Sequence, residues 1–406
     1  MRCRRSHVTV SAVTVAVALV VCLLSSGLLR EDDPTAFGCS GARCLRIHTT
    51  SGYTAAVMPN SDEGAKIAEA TAAATLSPTV NVVNNTKLRG VILFLYGGRW
   101  HDYFVRATLP SLAAYFLRCH PYPVHISHEG VTAAVKGSIR DALTRHGVAR
   151  PVVDYEDVSD TWKSLPPGVS EQELKTWMQT GVQSKFQGRG YRVMCRFWAG
   201  LVWQRSSMDK YDYYWRLDTD SILTRPVIVD IFHHVFIERR CEYGYNRLKG
   251  ENPFVAERLW DTFVAWARRD NLSATRWRAV RRFAMSDRPN PDPATQLRLA
   301  ASEHNPSEGE LKYFWAPMFY NNFELGSFRL KRDPLYSAFF TYVDTQQPYG
   351  IFRHRWGDAP LHTLGVMAVL SGQGLCNVSQ RVVGYRHAVK HPPTVAVPTA
   401  SCIDLA

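Results

Sequence analysis

The nine cysteines contain no CxxC pair, which argues against a structural zinc site. No helix-turn-helix, zinc-finger or RNA-recognition signature occurs and the basic residues are scattered, so nucleic acid is the weakest reading of the charge. No internal repeat appears, which excludes a solenoid or propeller. Acidic residues are outnumbered: 36 Asp and Glu against 48 Lys and Arg leave a net charge of +12 and a pI near 9.3. Such an excess suits an anionic membrane surface or a phosphorylated ligand. Residues 30–88 lack apolar periodicity and are rich in Ala, Thr, Ser, Asn and Gly, as a loose stem would be.

What the chain does have is core material. It is 406 residues long, 46% hydrophobic and 12% aromatic, enough for one large or two ordinary domains. The first 29 residues carry Arg2, Arg4 and Arg5, then an uncharged stretch from Ser6 to Leu29, about the length that spans a bilayer. Acidic residues follow. That order predicts a cytoplasmic tail at 1–5, a transmembrane signal anchor at 6–29, a stem at 30–88 and a lumenal domain at 89–406. A signal peptide cleaved near Ser25-Ser26-Gly27 is the competing reading. Three sequons, at Asn84, Asn271 and Asn377, are consistent with a lumenal domain. Beyond the anchor seven cysteines remain, and in an oxidising compartment some should pair, with at least one left over.

The folded part should begin at Gly90-Val91-Ile92-Leu93-Phe94-Leu95-Tyr96, an apolar run of the kind buried on both faces of a parallel sheet. A helix over 102–117 and a strand over 123–127 continue a β-α-β order. Further helices are predicted near 191–204, 257–267, 334–343 and 360–370, and a strand over 213–217. Residues 278–307, rich in Arg, Pro and Asp, read as a surface loop. The alternation predicts a single α/β domain with a mostly parallel sheet.

The strand in YDYYWRLDTD ends in Asp218-Thr219-Asp220, which puts two carboxylates at the carboxyl edge of a sheet, where open α/β folds place ligands. Oxygen ligands at that spacing suit Mn²⁺ or Mg²⁺ bridging to a diphosphate, and a nucleotide sugar also fits the positive net charge. An acidic turn is the plain alternative. Tyr213, Tyr214 and Trp215 demand burial, so the carboxylates emerge from a packed element.

Four stretches, Tyr191-Arg192-Val193-Met194-Cys195-Arg196-Phe197, YDYYWRLDTD, Asn321-Asn322-Phe323-Glu324-Leu325-Gly326 and Arg355-Trp356-Gly357-Asp358-Ala359-Pro360-Leu361-His362, together resemble the motifs of the fungal Golgi α-1,2-mannosyltransferases (glycosyltransferase family 15). The resemblance covers roughly residues 89–393. It implies a GT-A fold, a type II Golgi membrane protein, GDP-mannose as donor, Mn²⁺ as cofactor, and retaining transfer to mannose of protein-linked glycans. Carried over by position, Asp218 and Asp220 fall on a metal-binding Glu-Pro-Asp; aspartate at 218 is one methylene shorter than the family's glutamate. Glu324 falls on an acidic residue proposed as nucleophile or as stabiliser of positive charge on the donor sugar, in the manner of retaining glycosidases.

Tyr191 and Arg192 fall near the sugar and phosphates, where arginine can clamp a diphosphate; packing of a helix start is the alternative. Asp358 binds mannose hydroxyls or caps a helix. His387, in Gly384-Tyr385-Arg386-His387, matches the family's manganese-binding histidine, with His391 as the competitor because Pro-Pro follows it instead. Glu251 falls near an acidic residue facing the acceptor. The loop 96–100, expected to hold the base, reads Tyr-Gly-Gly-Arg-Trp where the family has Arg-Asn. That departure keeps open another donor such as UDP-galactose, and a non-catalytic glycan-binding protein is the third possibility.

Overall fold

The computed structural model describes residues 88–180, 188–302, 309–399 and Cys402, together with the backbone of two short antiparallel strands, Leu45–His48 and Thr54–Val57. The chain divides into two compact units, Met1–Thr86 and Lys87–Ala406. The predicted anchor at 6–29 and most of the predicted stem lie outside the described residues. Among the described residues no helix is long and apolar enough to cross a membrane.

The second unit is built on a seven-stranded sheet. Its strands in chain order are β1 (Gly90–Tyr96), β2 (Val124–His128), β3 (Val153–Asp157), β4 (Tyr213–Leu217), β6 (Tyr243–Tyr245), β9 (Phe323–Ser327) and β10 (Leu375–Asn377). Three short pairs accompany it: β5 (Ser221–Leu223) with β11 (Tyr385–His387), β7 (Leu248–Gly250) with β8 (Pro317–Phe319), and Met285–Ser286 with Tyr313–Phe314. The order in the large sheet is β10-β6-β9-β4-β1-β2-β3, and only β9 runs against the rest. The sheet is therefore mixed but mostly parallel, as the alternation of strands and helices predicts.

Both faces of the sheet are covered, which is why β1 is apolar at every position. One core holds Tyr214 and Tyr243 beneath helices α2 (Arg189–Ala199), α5 (Pro334–Thr345) and α6 (Asp358–Leu370). The other holds Trp215, Leu217 and Phe323 beneath the helical run 101–117, whose turns alternate between α and π geometry. Helix α1 (Ala133–Arg145) adds Ile139, Ala142 and Leu143 to this second core. Because side chains alternate along a strand, Tyr214 and Arg216 point to the first core while Trp215 and Leu217 point to the second.

Residues 278–302, the described part of the segment 278–307, are not the surface loop their composition suggests. Helix α3 (Leu259–Arg269) is followed by α4 (Ala274–Ala284), and a further helix runs over Pro293–Ala301. Ser273 caps α4 by accepting from the Arg276 amide, and Asp292 caps the next helix by accepting from Thr295. Val280, Phe283 and Ala284 enter the first core, so the arginines occupy the remaining positions of a helix rather than a loop. Disulfides join Cys119 to Cys402 and Cys241 to Cys376, while Cys195 is free and buried.

Candidate active site

Strand β4 stops at Asp218, whose amide donates to the Asn322 carbonyl at 3.3 Å, and a turn closes when the Ser221 amide donates to the Asp218 carbonyl at 3.0 Å. Strand β5 then pairs with β11 so that Ser221 lies opposite His387, and the Ala388 amide donates to the Asp220 carbonyl at 3.0 Å. The pairing brings His387 Nε2 to 3.1 Å from Asp220 Oδ1 and 3.6 Å from Asp218 Oδ2. Ligand atoms of all three residues lie within 4.8 Å of one another. Burial alone would lower the His387 pKa, but its hydrogen bonds to the two carboxylates raise it to about 9. Two carboxylates and an imidazole, each still partly open to solvent, are a donor set that fits Mn²⁺ and leaves room for diphosphate oxygens. His391 is exposed and is not part of this group.

Two residues inward on the same face, Arg216 ties Asp218 to a third carboxylate, Asp358. Its Nη1 donates to Asp358 Oδ2 at 2.6 Å, its Nη2 lies 3.4 Å from Asp218 Oδ1, and its guanidinium stacks on Trp198 at 4.1 Å. The Arg216 side chain is only 3% exposed. Asn321 Nδ2 donates to the same Asp358 oxygen at 2.9 Å. Asp358 follows the N-cap Gly357 and lies in the first turn of α6, a favourable place for a carboxylate. Tyr191 completes this corner: Arg355 lies over its ring at 4.5 Å, and the Cys195 sulfur, burial and the Asp358 carboxylate push its phenol far above the usual tyrosine range.

Glu324 is deeper than a residue in an open cleft would be. It pairs with Arg216 across β9 and β4, on the same face, and its side chain is 0% exposed. Tyr214 donates to Oε1 at 3.1 Å and Tyr243 to Oε2 at 2.7 Å; His362 Nδ1 lies 3.0 Å from Oε2 and Lys331 Nζ 3.9 Å from Oε1. Burial pushes its pKa up, but the neighbouring charges, Lys331 foremost, outweigh that and hold it far below the usual carboxylate range.

Arg192 is not brought to this group. It is 1% exposed and donates to the Phe352 carbonyl at 2.6 Å, which makes it an anchor of α2 rather than a clamp for a diphosphate. Glu251, in the turn after β7, approaches the Asp358 side: a β-carbon at Gly357 would lie 3.6 Å from its Oε2. Tyr103, just past the loop 96–100, is pushed above the usual tyrosine range by burial and by Asp220, so that end of β1 faces the metal pair. Sequence reading missed Arg216, Asn321, Tyr320, Lys331 and the role of His362. A charge at the centre of an apolar strand, two residues before Asp218, was the available signal for Arg216. His362, four residues after Asp358 on one helix face, was the signal for a second inward group. Tyr320, whose ring lies 6.0 Å from that of His387, left no such trace.

Known proteins resemble this chain in sequence and in fold. A family model described as glycolipid 2-alpha-mannosyltransferase matches residues 54–403. The alpha-1,2 mannosyltransferase KTR1 of Saccharomyces cerevisiae is 29% identical over 201 residues, 50% of this chain and 44% of the relative. The glycolipid 2-alpha-mannosyltransferase of the same yeast is 28% identical over 272 residues, 66% of this chain and 53% of the relative. The chain spans about half the length of the curated relatives it matches. Among solved structures, core-mannan synthase A (CmsA/Ktr4) from Aspergillus fumigatus in its Mn/GDP form superposes with a TM-score of 0.61 at 19% identity, over 79% of this chain and 81% of that one. The mannosyltransferase Ktr4p of S. cerevisiae in complex with GDP gives 0.59 at 20% identity, over 74% of this chain and 71% of that one. These two likenesses establish an α/β glycosyltransferase fold, and the match over residues 54–403 places the chain in the glycolipid 2-alpha-mannosyltransferase family.

Proposed function

We propose that the chain is a metal-dependent, retaining α-1,2-mannosyltransferase that moves mannose from GDP-mannose to a mannose residue of a protein-linked glycan. The observation that carries this reading is the convergence of Asp218, Asp220 and His387 at the carboxyl edge of the sheet. Family membership and the Mn/GDP form of a similar structure support it. Asp218, Asp220 and His387 would hold Mn²⁺, which when bound neutralises the charge of the departing diphosphate.

The remaining chemistry belongs to the chain. Arg216 fixes the Asp358 carboxylate in one orientation beside Tyr191, where it can accept a hydrogen bond from a sugar hydroxyl. Glu324, beneath Arg216, supplies negative charge that favours an oxocarbenium-like transition state. Glu251, across from Gly357, borders the side from which an acceptor sugar would approach. A Golgi location, single-pass type II with the second unit lumenal, is part of the proposal. The basic tail and uncharged stretch at 6–29 support it, as do the two disulfides and the exposed side chains of Asn271 and Asn377 in sequons.

The full chain should be purified and assayed with Mn²⁺ against a panel of nucleotide sugars. Transfer from GDP-mannose to a mannoside is expected; turnover of UDP-sugars alone would refute the donor assignment. An Asp220→Ala variant that transferred sugar as fast as the parent in Mn²⁺ would remove the metal site.

A further inference from the structure

Lys331 ends a short helix, Phe328–Lys331, whose neighbour Arg329 is exposed, yet its own side chain is 0% exposed. Its Nζ lies 3.1 Å from His362 Nδ1, 3.4 Å from the Tyr336 oxygen and 3.9 Å from Glu324 Oε1. The rings of Tyr336, Trp203 and Tyr243 surround it at 4.8, 5.1 and 5.3 Å. A buried ammonium in an aromatic box is expensive to desolvate, and the anion that compensates it is Glu324.

The hydrogen-bond pattern shows which group carries the positive charge. His362 Nε2 lies 2.5 Å from the Trp198 carbonyl, an atom that only accepts, so Nε2 holds a proton. Nδ1 of the neutral ring then accepts from Lys331, and the ring has no proton left for Glu324 Oε2. Burial first, then the adjacent Lys331, lower the His362 pKa, which keeps the ring neutral. The Glu324 oxygens take hydrogens from Tyr214 and Tyr243, and their charge is balanced by Lys331. Arg216 is already engaged by Asp358 and Asp218.

We propose that Lys331 is a positioning residue for the transfer reaction: its buried ammonium keeps Glu324 a fixed carboxylate and so sets the negative charge beneath Arg216, Asp358 and the donor sugar. This rests on the reading above that Glu324 acts on the donor sugar. Lys331 touches no substrate and works only through Glu324. Burial lowers the Lys331 pKa, opposed by Glu324, to about 8, so the ammonium is the prevailing form at neutral pH.

The test compares the parent with Lys331→Met, Glu324→Gln and the double variant, using the full chain, Mn²⁺ and the preferred donor. Lys331→Met should lower kcat at least about tenfold with the donor KM within about twofold, because a charge-assisted contact is lost at the reacting end alone. The acid limb of its pH–rate profile should move toward neutrality, since Glu324 without its ammonium takes up a proton at higher pH. The double variant, free of an unpaired buried charge, should melt above Lys331→Met and turn over no more slowly than Glu324→Gln. A Lys331→Met chain with parental kcat and pH profile would overturn the proposal while Glu324→Gln, if impaired, kept the role of Glu324. Should Lys331→Met not fold, the double variant decides: a kcat well below that of Glu324→Gln means that Lys331 acts otherwise than through Glu324. Parental kcat in Glu324→Gln would overturn both readings at once.

Discussion

Replacing Arg216 by methionine tests the link between the metal pair and Asp358 most directly. The side chain is 3% exposed and holds Asp358 at 2.6 Å and Asp218 at 3.4 Å. A hydrogen bond between charged groups contributes about 1.5–3 kcal/mol. If it is lost from the transition state alone, kcat falls about 10- to 150-fold at about 1.4 kcal/mol per factor of ten. Stability should fall too, by up to about 3–5 kcal/mol, because Asp358 is 8% exposed and loses the charge that balances it, keeping the neutral Asn321 amide as a partner. Arg216→Lys retains the charge but cannot bond both carboxylates with a planar fork, so its kcat should lie between methionine and parent. Steady-state transfer assays with saturating Mn²⁺, beside thermal melts, separate the two effects. A variant that melts lower but turns over at the parental rate would refute the assignment of Arg216 to the site and leave it a purely structural residue.

Two further outcomes are expected. In the metal-free protein the His387 pKa is raised from 6.5 to about 9, so the contacts of His387 with Asp218 and Asp220 stabilise fully below about pH 6.5 and are lost as pH rises through about 9. Since a bound metal needs the neutral ring, Mn²⁺ affinity should rise by about tenfold per pH unit up to about pH 9, with one proton released, measurable by calorimetry in buffers of different ionisation enthalpy; a pH-independent affinity would exclude His387 as a ligand. The Cys119–Cys402 disulfide closes a separation of 283 residues, so Cys402→Ser should cost about 5 kcal/mol by the chain-entropy estimate, read as a lower melting temperature in non-reducing buffer. An unchanged melting temperature would mean that the tail is held by other contacts.

Strand β4 shows how much of the site is local. Its aromatic alternation announces a buried strand, and Asp218 and Asp220 follow at its end, so ten residues gave the strand and its two carboxylates but left an acidic turn as the alternative to a metal pair. The helices at Ala274–Ala284 and Pro293–Ala301 show the opposite. Their arginines and prolines read as loop composition, whereas Ser273 and Asp292 as caps, and the spacing of Val280, Phe283 and Ala284, carry the helical signal. Glu324 was recognisable by motif, but its depth was not: burial depends on Tyr214, Tyr243, Lys331 and His362, which come from four other elements.

The sequence by itself determined the opening β-α-β order, the expectation of a mostly parallel sheet and the carboxylates at its carboxyl edge, because side-chain alternation and apolar runs are properties of neighbouring residues. Only the tertiary structure decided that His387 rather than His391 joins the metal pair, that Arg192 anchors a helix, and that Glu324 lies sealed against Lys331. Those outcomes follow from the pairing of β5 with β11, the register of β9 on β4 and the packing of α6 over the sheet. Each joins residues far apart in the chain, and a one-residue shift in register would turn Glu324 into the opposite core.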